Sequence, residues 1–474
     1  MTMVSTWLNG FTEHTRPRMV LVATSLGVLF AQIDTSVVNL AVKSIAADLH
    51  TGVSQMQWVI DSYNLVYASL LLTAGTLGDL YGRKRVFVLG IILFIVGTLI
   101  CALAPNAVTL IGGRVVSGVG AAFEVPMSLV LLTLAYPERK DRAHALGVWA
   151  SCNALAFIIG PMIGGWLVDS VGWRSIFYVI LPVCAAALVL TYVAVRKSAE
   201  PRGRTLDLPG QALSFVGLAA FAFAAIEGSS WGWYSPLILS IVGIALAAFA
   251  LFIWVEARTP GPLLPLEFLR RSVFSAALAS AGLMTFGIYA LLFIMPLYFQ
   301  IVRNATPLMA GFELLPMPIS FFVVSQFGGH LNNRLGPRAV MTAGMLCMGV
   351  GALSLAFIGE RTSLLYIETA LLVVGMGLGL NTAPVNGVAV AALPSERSGT
   401  ASGVLNTSRM VGATLGVAIL GAAFAVHAGQ DVAAGSGFLP GLRTALIGSG
   451  LAELIGAGIV FSFIRRDSMH AKNN

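Results

Sequence analysis

Three ionisable residues lie inside long apolar runs of the chain, where a helix that spans a bilayer is the expected structure. Asp34 stands within Gln-Ile-Asp-Thr-Ser-Val-Val-Asn, and Arg114 and Glu124 lie ten residues apart in a later run. A charged aspartate near the centre of a bilayer costs on the order of 3 kcal/mol on insertion scales, so such groups face protein or water rather than lipid. Residues of this kind can carry a proton or hold a cation.

The spacing of these residues decides which of them can pair. Arg114 and Glu124 are about 15 Å apart along one helix, because each residue adds about 1.5 Å, and so they do not reach each other. If the first run crosses outward and the fourth inward, Asp34 and Arg114 lie within about 5 Å in depth, which predicts an ion pair between helices. Glu124 then lies nearer the midplane without a cation, where a carboxyl favours its protonated form and can exchange protons. A structural role in joining helices stays open for Asp34 and Glu124.

A dense polar segment, Gly75 to Arg85, separates the second and third apolar runs. It is too short to fold alone and too charged to enter hydrocarbon, which predicts a tight loop at the bilayer surface. Its glycines permit turn conformations, and its cations mark the cytoplasmic side. The residues that define it are Gly75, Gly78, Asp79, Gly82, Arg83, Lys84 and Arg85. A weaker copy runs from Gly329 to Arg338, with Asn333 where Asp79 stands in the first.

The composition of the 474-residue chain is that of an integral membrane protein. Hydrophobic residues make up 57% and charged residues only 10%, whereas a soluble domain carries about 25% charged residues. The apolar runs are about 20 residues or longer, which fits spanning helices and not the short alternating strands of a β-barrel. The net charge of +7 is spread over short loops and does not indicate nucleic-acid binding. The four cysteines lack metal-ligand spacing and the chain has no P-loop, so we expect no metal, no cofactor and no enzymatic activity.

The apolar runs predict an all-α protein of about fourteen transmembrane helices. We place them near 19–42, 55–76, 86–104, 108–134, 142–168, 174–195, 208–227, 235–255, 272–300, 308–332, 338–358, 363–392, 399–428 and 441–464. Most Lys and Arg residues fall in alternate loops, which puts both termini on the cytoplasmic side. The two loop copies follow the second and tenth helices, so two six-helix bundles are expected to flank two inserted helices. The predicted parts are residues 1–200, the inserted pair in 201–260, and 261–474.

Further candidates lie in the fifth helix and among polar residues of the other spans. Gly160, Pro161, Gly164 and Gly165 allow close helix approach, and the proline bends the helix. A second set is placed on a cavity wall or rim and comprises Asn39, Tyr63, Phe157, Glu313, Glu368, Asn381, Asn406 and Arg409. For the two glutamates, a rim position near water is the simpler interpretation. For the asparagines near the inner ends of the twelfth and thirteenth helices, hydrogen bonds between helices are equally consistent.

Together these motifs resemble the fourteen-helix drug:proton antiporters of the major facilitator superfamily over nearly the whole chain. The first helix is similar to the family pattern D-x-T-V-V-N-x-A-L-P at Asp34, Val37, Val38, Asn39 and Ala41, with departures at Ser36 and Lys43. The loop motif matches at the seven residues named above and at Leu77. The fourth-helix motif matches at Arg114, Gly118, Gly120, Ala121, Ala122 and Pro126, and the antiporter motif of the fifth helix at Gly160, Pro161, Gly164 and Gly165. Glu124 departs from the small or apolar residue frequent in the family, which makes it a candidate for substrate preference.

The resemblance implies alternating access, in which two bundles rock around a central cavity in the cytoplasmic membrane. Protons would enter down their gradient and displace small hydrophobic, often cationic, molecules outward, with Asp34 or Glu124 binding either proton or cation. The Gly75–Arg85 loop would act as a latch, with Asp79 near the start of the thirteenth helix in the outward-open state. The implied partners of a monomeric chain are the lipid bilayer, protons and these small molecules, without nucleic acid. Two alternatives stay open: a related transporter of one metabolite or siderophore, and a transport-inactive membrane sensor or scaffold.

Overall fold

The computed structural model describes residues 15–195, 207–259, 262, 264, 266–394, 397–428 and 437–464. Every regular element within these residues is helical, as the apolar runs predict. Most of the polar linker before the inserted helices, and the two ends of the chain, fall outside the described residues.

The described residues form fourteen helices, α1 to α14, that correspond one by one to the predicted spans. The first eight are α1 Thr15–Leu49, α2 Val53–Tyr81, α3 Arg83–Ala102, α4 Ala107–Ala135, α5 Arg139–Ser170, α6 Ser175–Ala194, α7 Leu208–Trp231 and α8 Pro236–Glu256. The last six are α9 Ser272–Leu297, α10 in two parts at Pro307–Leu314 and Pro316–Leu335, α11 Pro337–Leu355, α12 Leu364–Ala391, α13 Ser398–Ala428 and α14 Phe438–Phe463. A short helical turn, Leu266–Leu269, precedes α9, and a π-helical segment, Tyr298–Val302, continues it. Several helices, α1 above all, are longer than predicted because their polar ends continue beyond the apolar run.

Thirteen of the described helices are long and apolar enough to cross a membrane, and α2 falls short only in apolarity. Its 29 residues include Gln57, Asp61, Ser62 and Asn64, all of them buried. These polar groups are sheltered by protein, because α2 packs against α4, α7 and α13. A helix covered on several sides tolerates polar residues that a helix facing lipid does not.

The two halves of the molecule repeat the same helix pairs at an offset of eight helices. In the first half the packed pairs are α3–α4, α2–α4, α1–α5, α1–α6 and α3–α6. In the second half they are α11–α12, α10–α12, α9–α13, α9–α14 and α11–α14. The fold therefore contains two related six-helix bundles, and the weak sequence repeat between the two loop copies reflects this relation.

The bundles meet along α2–α13 and α5–α10, and the inserted helices lie beside the first of these seams. α7 contacts both α2 and α13, whereas α8 packs mainly on α7. Glu227 of α7 accepts hydrogen bonds from Ser54 Oγ at 2.6 Å and from Trp58 Nε1 at 2.9 Å, both on α2. Toward the other end of α7, Gln211 donates to the carbonyl oxygen of Ser69. Polar contacts thus fasten the inserted pair to α2 at both ends.

Close packing of α3 on α4 sets the position of the candidate residues that α4 carries. A Cβ at Gly97 would lie 2.3 Å from the backbone nitrogen of Ser117, so the two backbones touch. Any larger residue at this point would push α4 away from α3. Pro126, inside α4, removes one backbone donor two residues after Glu124. The contact with α3 therefore fixes the depth at which α4 presents its charged residues.

Candidate functional site

Arg114 on α4 forms a buried ion pair with Asp34 on α1, and this confirms the pairing that their depth predicts. Arg114 Nη1 donates to Asp34 Oδ2 at 2.5 Å, and its Nε donates to the carbonyl oxygen of Val59 at 3.0 Å. The guanidinium carbon also lies 4.5 Å from the ring centroid of Tyr63. The side chain of Arg114 is 2% exposed and that of Asp34 is 1% exposed. The pair ties α1, α2 and α4 together.

Glu124 lies on the same helix, fully buried and without a cation. Neither carboxyl oxygen has a hydrogen-bond partner among the described residues. The carboxyl packs against Gly27 of α1, where an added Cβ would lie within 2.3 Å of Glu124 Oε1. An isolated carboxyl in this setting favours the neutral, protonated form, because a charge there would lack both water and a partner.

Asp61 on α2 is a further buried acid in the first bundle, and it was not among the sequence candidates. It is fully buried, and neither carboxyl oxygen has a partner in the described part of the chain. The signal that identifies Asp34, an ionisable residue inside a span, is present at Asp61 as well. The polar neighbours Gln57 and Asn64 weaken the apolar pattern around it.

A central cavity of about 1550 Å³ lies between the two bundles. It extends to the end of the molecule that carries the α2–α3 loop, since Gly75, Arg83 and Thr400 line it. We call this end the α2–α3 end. The volume exceeds that of a typical drug-binding pocket, about 300 to 1,000 Å³, so the cavity has room for a drug-sized molecule and water.

At the opposite end, hydrogen bonds join the two bundles. Lys43 Nζ on α1 donates to the carbonyl oxygen of Gln300 at 2.6 Å, and Gln300 Nε2 donates to the carbonyl oxygen of Leu40 at 2.9 Å. Asp169 near the end of α5 accepts from the backbone amide of Leu308 at 3.0 Å. Gln300 lies in the π-helical segment after α9, so this irregular turn makes the contact. The described part of the molecule is thus open at the α2–α3 end and closed at the other.

The cavity wall combines apolar and aromatic side chains with a few polar ones. Of the candidates predicted at a cavity wall or rim, Phe157, Asn406 and Arg409 line it. Other apolar and aromatic members of the wall include Tyr67, Met284, Ile288, Tyr289, Leu292 and Phe321. The buried acids of the first bundle are not among the described wall residues, although Val125, which follows Glu124, is.

The Gly75–Arg85 loop forms a tight turn at the mouth of the cavity. Gly82 has φ of +96°, a conformation that favours glycine. Gly78 packs against Met127 of α4, and a larger residue would require the end of that methionine side chain to move. Lys84 Nζ donates to the carbonyl oxygen of Tyr192 at 2.9 Å, near the end of α6. The loop is therefore held against the first bundle.

Asp79 and Arg83 form a partly exposed pair one helical turn apart, with Arg83 Nη2 3.3 Å from Asp79 Oδ1. Gly75, Arg83 and Thr400 all line the mouth, and Thr400 lies near the start of α13. The mouth is open in this conformation. The latch contact between Asp79 and the start of α13 concerns a different conformation and stays a prediction.

The glycines of α5 make close contacts with both bundles. A Cβ at Gly164 would lie 2.6 Å from Val37 Cγ1 on α1, and a Cβ at Gly165 would lie 2.6 Å from Leu308 Cα on α10. Pro161 of the same motif meets α10 at Gly311, where an added Cβ would lie 2.5 Å from the proline carbonyl oxygen. Small residues therefore let α5 close the seam at the end opposite the cavity mouth.

Four other candidates lie away from the central cavity. Asn39 donates to a backbone carbonyl one turn earlier at 2.9 Å and lines a separate cavity of about 30 Å³. Asn381 is fully buried and donates to Ser280 Oγ at 3.3 Å, which joins α12 to α9. Glu313 is partly exposed and lies within electrostatic range of Glu368. These placements favour helix joining for Asn381, a bond within its own helix for Asn39, and a rim position for the glutamates.

A model of the major facilitator superfamily matches the chain twice, over residues 24–221 and 210–417. These matches span most of the sequence. The chain belongs to the major facilitator superfamily. It is 38% identical over 407 residues to the multidrug resistance protein Stp of Mycobacterium tuberculosis (strain CDC 1551 / Oshkosh), which covers 86% of this chain and 76% of that protein. It is 35% identical over 446 residues to the methylenomycin A resistance protein of Streptomyces coelicolor (strain ATCC BAA-471 / A3(2) / M145), covering 94% and 92%.

Solved structures of other members of the superfamily share the fold. A bacterial homologue of the human lysosomal transporter Spinster, in an inward-facing and unoccupied conformation, aligns with a TM-score of 0.68 at 18% identity over 94% of this chain and 96% of that chain. An auto-inhibited peptide transporter of the POT family aligns with a TM-score of 0.72 at 14% identity over 95% and 97%. With the resistance and efflux proteins among its relatives, the chain is a drug efflux transporter of this superfamily.

Proposed function

We propose that this transporter is a proton-coupled antiporter that exports hydrophobic, drug-like compounds across the cytoplasmic membrane by alternating access. The observation that carries the proposal is the set of buried acids in the first bundle, one of which, Glu124, precedes the wall residue Val125. Glu124 and Asp61 have no partner among the described residues, and Asp34 has only one oxygen bonded to Arg114. Ionisable groups inside a membrane segment are costly and mark proton or ion pathways in many transporters, which supports a role in proton exchange.

The coupling follows from the two protonation states of a buried carboxyl. A protonated carboxyl is neutral and stable in the dry interior, whereas a deprotonated one needs water or a cation. A proton on Glu124 and a drug against the neighbouring cavity wall at Val125 would therefore favour different conformations. In the simplest version, proton and drug exclude each other, and the entry of one drives the release of the other.

The proton gradient supplies enough energy for substantial accumulation. A membrane potential of about 150 mV provides roughly 3.5 kcal/mol for each charge moved. Since about 1.4 kcal/mol corresponds to a factor of ten, one proton per drug sustains a concentration ratio of a few hundredfold. A single titrating carboxyl is thus sufficient to drive the export.

The proposal includes the orientation and the parts of the molecule. The α2–α3 end faces the cytoplasm, both termini lie on that side, and the working unit is a monomer. Residues 1–200 and 261–474 move as two bundles, and the inserted pair in 201–260 follows the first bundle through its bonds to α2. Closure of the cytoplasmic side would bring Asp79 to the start of α13, where a helix N-terminus favours an anion by about 0.3 to 1 kcal/mol.

The test is efflux of Nile red, an uncharged lipophilic dye, from energised bacterial cells with and without an uncoupler. Cells that express the wild type are expected to lose the dye faster than cells without it, and the uncoupler should abolish the difference. Asp34→Asn and Glu124→Gln should each remove most of the uncoupler-sensitive rate, because a neutral amide cannot release a proton. Glu313→Gln at the rim serves as the matched control and should retain the rate. If both former variants kept uncoupler-sensitive efflux, the proposed coupling would be wrong.

A further inference from the structure

The charge deep in the cavity is positive, and a single residue supplies it. Arg409 lies eleven residues into α13, about 16 Å from the start of the helix, and it lines the cavity. The described acids of the cavity wall, Asp207 and Glu267, lie at the α2–α3 end, just before α7 and in the turn before α9. The embedded acids of the first bundle are not part of the wall. The depth of the cavity is therefore unsuited to a cation.

Two donors of the Arg409 guanidinium are left without a partner. Nη1 reaches Asn406 Oδ1 at 3.4 Å, which is a long contact. Nε and Nη2 have no hydrogen-bond partner among the described residues. These two nitrogens lie on the same edge of the planar guanidinium, where their hydrogens are parallel. That edge is the fork that binds both oxygens of a carboxylate.

The backbone of Arg409 is held in place while its side chain borders open space. Thr285 Oγ1 on α9 donates to the carbonyl oxygen of Arg409 at 2.6 Å. One turn later, a Cβ at Gly412 would lie 2.0 Å from the carbonyl oxygen of Gly282, so α13 and α9 touch at this level. Nε and Nη2 are themselves buried, while the side chain as a whole lines the cavity, so a ligand would reach the fork after a change of the Arg409 rotamer.

We infer that Arg409 is the anchor for a carboxylate group on the substrate, so that the transporter takes amphiphilic organic acids in preference to organic cations. The carboxylate would satisfy the two unpartnered donors, and the apolar part would lie against Met284, Ile288 and Leu292. A charged pair of donors left unbonded in a poorly hydrated site is unfavourable, and a bidentate acceptor removes that cost. This inference rests on the proposed function, since it names the substrate class for the same cavity.

The experiment compares two dyes that share the xanthene skeleton, anionic fluorescein and cationic rhodamine 123, in equilibrium binding to the purified protein in detergent. Fluorescence anisotropy should give fluorescein an affinity at least about tenfold higher than that of rhodamine 123. Arg409→Gln should weaken fluorescein binding by about 10- to 100-fold and leave rhodamine 123 binding unchanged or stronger. Arg409→Lys keeps the charge without the planar fork and should fall between the two. Arg443→Gln, an exposed arginine of α14 outside the cavity wall, should leave both affinities unchanged.

Several results would overturn the inference. The inference would be wrong if the wild-type protein bound the two dyes equally, bound neither, or preferred rhodamine 123. An equal loss of both dyes in Arg409→Gln would assign a structural role to the arginine. If Arg409→Gln does not elute as a folded protein, Arg409→Lys decides, and fluorescein affinity equal to that of the wild type would contradict the fork. Binding in detergent needs no proton gradient, so its outcome is independent of whether the transporter is coupled to protons.

Discussion

Arg114 and Arg409, which lie well inside their helices, have opposite surroundings, although they belong to related bundles. Arg114 is 2% exposed, bonded to Asp34 and to a backbone carbonyl, and stacked on Tyr63. Arg409 lines the cavity and makes one long contact with Asn406. Arg114 is a cation that the fold has neutralised, whereas Arg409 keeps two nitrogens without a partner among the described residues.

The buried acidic residues are distributed unequally between the two bundles. The first bundle buries Asp34, Asp61 and Glu124, whereas the second buries Glu453 of α14, which has no partner among the described residues. Glu453 packs against Gly287, much as Glu124 packs against Gly27. Three buried acids in the first bundle against one in the second fit the proposal that the first bundle exchanges protons and the second binds the substrate.

The largest expected effect is the difference in stability between a variant that lacks Arg114 and one that lacks Arg409. Arg114→Met leaves Asp34 buried without its partner, which should lower the free energy of unfolding by about 3 to 5 kcal/mol. Arg409→Met removes donors that are already unsatisfied, so stability should stay the same or rise by about 1 kcal/mol. Thermal unfolding in detergent measures both changes.

The double variant Asp34→Leu/Arg114→Met provides the control for this pair. It removes both charges together and should recover most of the stability that Arg114→Met loses. Equal destabilisation by Arg114→Met and Arg409→Met would mean that the two environments do not differ in the way described.

A smaller effect, confined to coupling, is expected from the two unpartnered glutamates. Glu124 directly precedes the wall residue Val125 on α4, whereas α14, which carries Glu453, contributes no described residue to the wall. Glu124→Gln should therefore remove uncoupler-sensitive Nile red efflux, and Glu453→Gln should retain at least about half of it. If Glu453→Gln lost uncoupler-sensitive efflux and Glu124→Gln kept it, the proton site would be assigned to the second bundle.

The smallest effect concerns the two loop copies. Asp79→Asn gives the first loop the amide that the second copy has at Asn333. The partly exposed bond between Asp79 and Arg83 contributes only about 0.3 to 0.5 kcal/mol, so stability and insertion should hardly change. Efflux should nevertheless slow by severalfold if Asp79 closes the cytoplasmic side. An unchanged rate, with Glu360→Gln at the other end as control, would leave the loop with only a topological role.

The sequence predicts the membrane class, the helices and the pairing of Asp34 with Arg114, because periodicity and depth depend on local spacing. It does not predict which polar residues reach the cavity, because that depends on how two bundles pack. Asn381 and Arg409 both lie in apolar helices, yet Asn381 joins two helices and Arg409 lines the cavity. Asp61 carried a usable signal but stands in α2, which lacks the long apolar stretch of the other predicted spans. Pro296 marks an irregularity just before the π-helical turn at Gln300, but it does not predict the contact of that turn with α1.

The central claim is that a proton gradient drives export, and one measurement tests it directly. The purified protein is placed in liposomes loaded with fluorescein or rhodamine 123, and dye efflux is followed with and without an imposed proton gradient directed inward. The account predicts gradient-dependent efflux of at least one dye that an uncoupler abolishes and that protein-free liposomes lack. Efflux that is the same with and without the gradient for both dyes would contradict it.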